Sequence, residues 1–177
     1  MILKQLSRPQ RAFSLVELVV VLSVLALLSG IVVPEVFEQL RSSRDSQRLT
    51  DARTLRVAIE QYNLDKGCYP PADTSAEHGN WDVSHDGGFI QELVDEGYID
   101  EGLVDPVNNE TYHYRYFVYA GGSYGCEGDG AFFVLGIRNF EVIGFDSRNR
   151  SFFRCSRRDW SDEFAFVTGG GASWTQR

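Results

Sequence analysis

The chain has 177 residues, 25 acidic against 17 basic, for a net charge of −8. That balance argues against a protein built to grip phosphate backbones, whose affinity rests largely on cationic contacts. The length leaves room for one small domain beside any membrane segment, and no second.

Lys4, Arg8 and Arg11 make a short basic head. From 13 to 33 the chain is apolar except at Ser14, Glu17, Ser23, Ser29 and Gly30. At about 1.5 Å per residue a helix of this length spans about 30 Å, the thickness of a bilayer's hydrocarbon core. A helix also satisfies its own backbone, as that environment demands. The run is longer than the apolar core of a secretory signal, and Val32-Val33-Pro34-Glu35 lacks a small-x-small cleavage pattern, so a retained single span is expected. The basic head marks the cytoplasmic side and places the remainder outside. Pro34 lacks a backbone donor and crowds the preceding turn, which predicts a bend between Gly30 and Pro34.

Glu17 is out of place in such a run. A carboxylate deep in a span costs about 3 kcal/mol on insertion scales, less near the interface. No Lys or Arg lies between 13 and 33 to pair with it. The one cation able to reach that depth is a chain terminus. A cut between Ala12 and Phe13 would create an α-amine one helical turn before Glu17, and a neighbouring copy shifted along the axis could offer the same group.

Beyond Pro34 the apolar spacing becomes periodic. Leu49, Ala52, Leu55, Ile59 and Tyr62 form one stripe, and Arg48, Asp51, Arg53, Arg56, Glu60 and Gln61 read as the wet face. Gly67, Pro70 and Pro71 end the helix, which is predicted from about Ser14 to Lys66. Residues 68–111 read as a connecting region, with a short helix over 88–94 that turns Phe89, Ile90, Leu93 and Val94 inward.

Strands are predicted at 112–119, 131–138, 141–145, 151–155 and 164–167, the second apolar on both faces and so central. The glycine-rich stretch 169–173 reads as a flexible tail. A long helix on an antiparallel meander is an α+β architecture.

Cys68, Cys126 and Cys155 fall in the part expected outside, where one disulfide forms and one thiol is left over. Three pairings are open. His78 and His85 sit in a polar loop and read as solvated, and His113 as a surface or sheet-pair residue. Arg148, Arg150, Arg154, Arg157 and Arg158 cluster, and read as a solvated strand edge and loop. No nucleophile elbow or phosphate-binding glycine loop is present, so no catalysis is expected. No cofactor or metal site is expected either, the turn Gly128-Asp129-Gly130 being too little to claim calcium.

The junction Arg11-Ala12-Phe13-Ser14-Leu15-Val16-Glu17-Leu18 resembles the class III leader of type IV pilins and type II secretion pseudopilins. Ala12 stands where that family has Gly. The resemblance implies that a prepilin peptidase cuts between Ala12 and Phe13, that Phe13 is N-methylated, and that Glu17 pairs with a neighbour's N-terminus during assembly. Pro34 resembles the family's kinking proline. Tyr62-Asn63-Leu64-Asp65-Lys66-Gly67-Cys68-Tyr69-Pro70, then 93–98, Asp105-Pro106 and Tyr112-His113-Tyr114, are similar in order to the major pseudopilins. Val107-Asn108 departs from the Trp-Gly of that pattern, and the family's calcium-binding stretch is not evident.

The implied chain has a leader at 1–12, an assembly and membrane helix at 13–34, an amphipathic half at 35–67 and a globular domain of the pilin fold at 68–177. The implied function is a structural subunit of a periplasmic pseudopilus that drives protein secretion. A type IV pilus subunit for adhesion, motility or DNA uptake is the alternative. Implied partners are other copies, other pseudopilins, the peptidase, an inner-membrane assembly platform with its ATPase, and lipid, but no nucleic acid.

Overall fold

The computed structural model describes residues 13–128, 130–149 and 151–171, and for 28–34 the backbone alone. Helix α1 runs Leu15–Lys66. The chain divides into two compact units, one ending at Leu40 and the other spanning Arg41–Arg177.

In the first unit every described side chain from Phe13 to Leu27 is exposed. These include Phe13 (81%), Leu15 (79%), Val16 (68%) and Leu27 (73%). A helix apolar on all sides needs a cover. Among the described residues no helix is long and apolar enough to cross a membrane. The described apolar side chains of the run stop at Leu27, and those of 28–34 lie outside the described set. The predicted bend between Gly30 and Pro34 falls there too. The helix assignment continues through those positions.

In the second unit the predicted stripe is the core. Leu49, Ala52, Leu55, Ile59 and Tyr62 are 0–6% exposed, with Ala58 beside them. Each large side chain among them contributes about 1.5–3 kcal/mol on burial. They pack on an antiparallel sheet of β1 (Asp82–Val83), β2 (Tyr114–Tyr119), β3 (Phe132–Ile137) and β6 (Phe166–Gly170), in the order β1-β2-β3-β6. Strand β3 is central and buried at all six positions, because both faces of the sheet are covered. Phe133, Leu135 and Ile137 face the helix, joined by Tyr114 and Tyr116 of β2. Phe132 and Val134 face the other way, into a second core with Trp81, Phe153, Trp160 and Phe164.

Four sequence readings change. Residues 141–145 form no strand. Asp45 takes the backbone N–H groups of Glu141 and Val142, Gly144 sits at φ 77°, and the turn leads into a short helix α3, Phe145–Arg148. The expected strand at 151–155 shrinks to β4 (Arg154–Cys155), paired with β5 (Arg158–Asp159) in a separate hairpin. Gly169 and Gly170 are no tail but buried strand paired with Val134 and Phe133. A Cβ on Gly169 would lie 2.4 Å from the Phe153 ring, so only glycine lets the strand close there. The connecting region holds a strand, β1, and its short helix α2 starts late, at Gln91–Asp95, with Phe89, Ile90 and Leu93 buried as predicted.

Of the three pairings open to the cysteines, the structure joins Cys126 to Cys155, with Cα atoms 4.7 Å apart. The bond ties the turn before β3 to β4. Cys68 is exposed and unbonded.

Candidate functional site

The N-terminal end of α1 carries the predicted assembly residues. Ala12 lies outside the described residues. Phe13 precedes the helix, and the first bond, from Leu18 N–H to Ser14 C=O at 3.1 Å, starts the turn that holds Glu17. Phe13 and Glu17 are one turn apart, about 6 Å of helical rise. Glu17 is exposed and ringed by exposed Leu15, Val16, Leu18, Val19 and Val20. It is the acidic residue of the first turn, where the helix dipole favours negative charge. The arrangement can present a carboxylate on an apolar rod to a cation brought by another chain. Among the described residues no group of three or more His, Cys, Asp or Glu side chains is placed to hold a metal.

The second polar centre was misread from the sequence. Arg48 and Asp51, expected on the wet face, are 0% and 8% exposed. Arg48 grips Asp105 with two bonds, Nε to Oδ2 at 2.6 Å and Nη2 to Oδ1 at 2.8 Å. Its Nη1 reaches Asp45 at 2.6 Å and Glu141 at 2.9 Å, and its guanidinium lies 5.0 Å over the Tyr112 ring. Asp105 also accepts the Val107 N–H at 2.8 Å. Arg44 donates to Glu141 at 2.7 Å. One buried guanidinium thus ties α1 to the loop before β2 and the turn after β3. Burial would pull the Arg48 pKa down, but the carboxylates of Asp105, Glu141 and Asp45 outweigh it and hold it up. The Arg44 bond, backed by Arg48, holds Glu141 below the usual carboxylate range. Nearby, Tyr114 Oη donates to Asp51 at 2.9 Å. Burial pushes the Asp51 pKa up, and the Tyr114 bond partly opposes it.

The histidines also differ from expectation. His113 is buried, which rules out the surface reading, and its C=O accepts the Arg138 N–H at 3.0 Å where β2 and β3 begin to pair, which fits the sheet-pair one. Its Nε2 accepts from Arg115 Nε at 2.9 Å and its Nδ1 faces Asn109 C=O at 3.0 Å, which fixes a neutral ring with the proton on Nδ1. Burial, then the Arg115 charge, lowers its pKa to about 4. The His85 ring lies 4.6 Å from His113 and 4.9 Å from His78. His78, predicted as solvated, has a side chain 22% exposed, 3.6 Å from Asp86.

Asp82 on β1 is buried, and its Oδ2 accepts the N–H groups of Asp73 at 3.0 Å and Ile90 at 3.2 Å. Burial pushes its pKa from 3.8 to about 7. The unfolded chain therefore ionises Asp82 first as pH rises, and its contribution to stability is lost between pH 3.8 and 7. His113 acts oppositely. Its contribution is lost as pH falls from 6.5 to 4. The expected outcome for Asp82→Asn is a Tm close to the native chain's near pH 4 and above it near pH 8, read from melting curves across that range.

These features define a class. Residues 7–33 match the family model described as the prokaryotic N-terminal methylation motif. With that motif on an exposed apolar helix and an α+β domain following it in the chain, the arrangement is similar to that of type IV pilins and pseudopilins. Within that class the chain is similar to type II secretion system core protein G of Vibrio cholerae serotype O1. They are 29% identical over 135 residues, covering 70% of this chain and 90% of that protein. Similarity to the core protein G of Pseudomonas aeruginosa is 30% over 70 residues, or 40% of this chain and 49% of that protein. For the core protein G of Pectobacterium carotovorum it is 31% over 64 residues, 36% of this chain and 41% of that protein. The chain thus spans less than half the length of these last two relatives. No solved structure matches significantly.

Proposed function

We propose that the chain is a structural subunit of a type II secretion pseudopilus. The observation that carries this is the similarity to a secretion core protein over 90% of that protein's length. The relatives named above are all secretion core proteins, which favours a pseudopilus over a pilus. In this reading a prepilin peptidase removes residues 1–12, and the new N-terminal Phe13 is methylated. The chain waits in the inner membrane by a single span over 13–34, its N-terminus cytoplasmic and its globular domain periplasmic. The apolar run of 13–33 supports that anchor, being long enough at about 1.5 Å per residue to span the hydrocarbon core. An assembly platform with its ATPase then moves it into a filament with other copies and other pseudopilins. There Glu17 docks against an incoming α-amine, and the apolar side chains exchange lipid for neighbouring helices. The role is one of assembly, without catalysis.

Mass spectrometry of the chain isolated from a host with an active prepilin peptidase tests the first step. The expected result is an N-terminus at Phe13 carrying one added methyl group. A chain that still begins at Met1 would overturn the reading.

A further inference from the structure

Two surfaces of the globular unit leave apolar side chains open to solvent. The first is a groove of about 430 Å³ beside α1, lined by Val57, Ala58, Tyr98 and Ile99. Val57 is 66% exposed. The segment that supplies Tyr98 and Ile99 is acidic, with Asp95, Glu96, Asp100 and Glu101 all exposed. Lys66 pairs with Glu96 at 2.7 Å. The second surface is the β4–β5 hairpin and its approach. Phe153 turns into the core at 2% exposure, which sends its neighbour Phe152 outward at 57%. Arg148, Arg154 and Arg157 are exposed around it.

The sheet separates these surfaces. The groove belongs to the face where α1 packs, and Phe153 anchors the hairpin on the other face. A single chain therefore cannot seat its own Phe152 in its own groove. A contact between one copy's hairpin and another's groove joins two different patches, and such contacts, repeated in one sense, build rings or open filaments rather than two-fold dimers.

We propose that this is a contact between copies: Phe152 of one chain enters the groove of the next, and Arg154 and Arg157 face the next chain's Asp95, Asp100 and Glu101. The proposal rests on the filament-subunit reading above and names the surfaces that meet. Charge selects the occupant. The chain carries −8 overall, so copies repel at long range. The exposed arginines beside the hairpin are where a copy presents the opposite sign to a neighbour's acidic turn. Arg53 also lines the groove, a cation available to the incoming ring.

The test uses full-length chains co-expressed in a host that assembles them, in a Cys68→Ser background. One chain carries Phe152→Cys and the other Ile99→Cys. Mild oxidation of the isolated filament fraction is expected to give a covalent dimer from the mixed pair, at least tenfold above either chain alone. Arg154→Glu with Arg157→Glu should lower that yield about tenfold, and Asp100→Arg with Glu101→Arg in the other chain should restore it. Filaments that form without the mixed dimer would overturn the contact and leave the filament reading standing. Unsubstituted chains that form no filament would overturn that reading and the contact with it. An equal dimer yield from Phe152→Cys alone, or an adduct with a different protein, would also overturn the contact.

Discussion

Glu17→Ala is expected to yield a chain that is cleaved before Phe13, folds, and fails to enter filaments. Glu17 stands exposed among apolar side chains, and none of the described residues of the globular unit is needed to place it. Its loss should therefore leave the melting temperature of the globular unit unchanged. In lipid an ionised carboxylate costs about 3 kcal/mol at mid-span. A residue so costly in that setting implies a partner, and removing one member of a desolvated pair costs about 3–5 kcal/mol because the other charge is left bare. At about 1.4 kcal/mol per tenfold, incorporation should fall by at least a hundredfold. The measurement is the ratio of variant to native chain in the isolated filament fraction, with the N-terminus of the unassembled pool read by mass. Normal incorporation would remove Glu17 from the assembly step, and an uncleaved N-terminus would move its role to processing.

Arg48→Ala should damage the fold instead. Arg48 and Asp45 have fully buried side chains, and Asp105 is their buried partner across the loop. Truncation strands two carboxylates away from water and leaves Glu141 with Arg44 alone. The expected cost is about 3–5 kcal/mol, a fall in Tm of about 10 °C for a chain of this size. Arg53→Ala, at an exposed position on the same helix, should cost less than about 0.5 kcal/mol. Both are read from thermal melts of the detergent-solubilised full chain. Acid adds a second readout. Glu141 is held below its ordinary carboxylate range, so its share of stability is present above that range and lost as pH falls through its lowered pKa. Arg48→Ala should weaken that acid sensitivity as well as lower the plateau. A melt indistinguishable from native would mean that the buried charges find other partners.

The contrast between these two sites shows what could be read from the chain alone. Glu17 was legible because its anomaly is local, a lone acid in an apolar run four positions after Phe13. The helix stripe at Leu49, Ala52, Leu55, Ile59 and Tyr62 was legible because a periodicity of three to four needs no distant partner to be seen. Strand β3 stood out for the same kind of reason, a run of apolar residues that leaves no face for water.

Arg48 was not legible. A basic residue between apolar positions reads as a solvated face, and what reverses that reading lies 57 and 93 residues away, at Asp105 and Glu141. His113 was hidden likewise, since its neutral state depends on Arg115 and Asn109 closing on both ring nitrogens at once. Residues 141–145 had strand-like composition, but Asp45 claims the backbone donors a ladder would have used. Gly169 and Gly170 had tail-like composition, and became strand because the Phe153 and Phe133 rings leave room for nothing larger. Periodicity and apolar length are local properties, so the order of residues determined the helix and the central strand, and it places the lone acid Glu17 on the first turn of the apolar run. Which charges go under and which cysteines join was decided by tertiary packing alone. A buried ion pair or a disulfide exists only when groups distant in the chain arrive within a few ångströms of each other and leave water together.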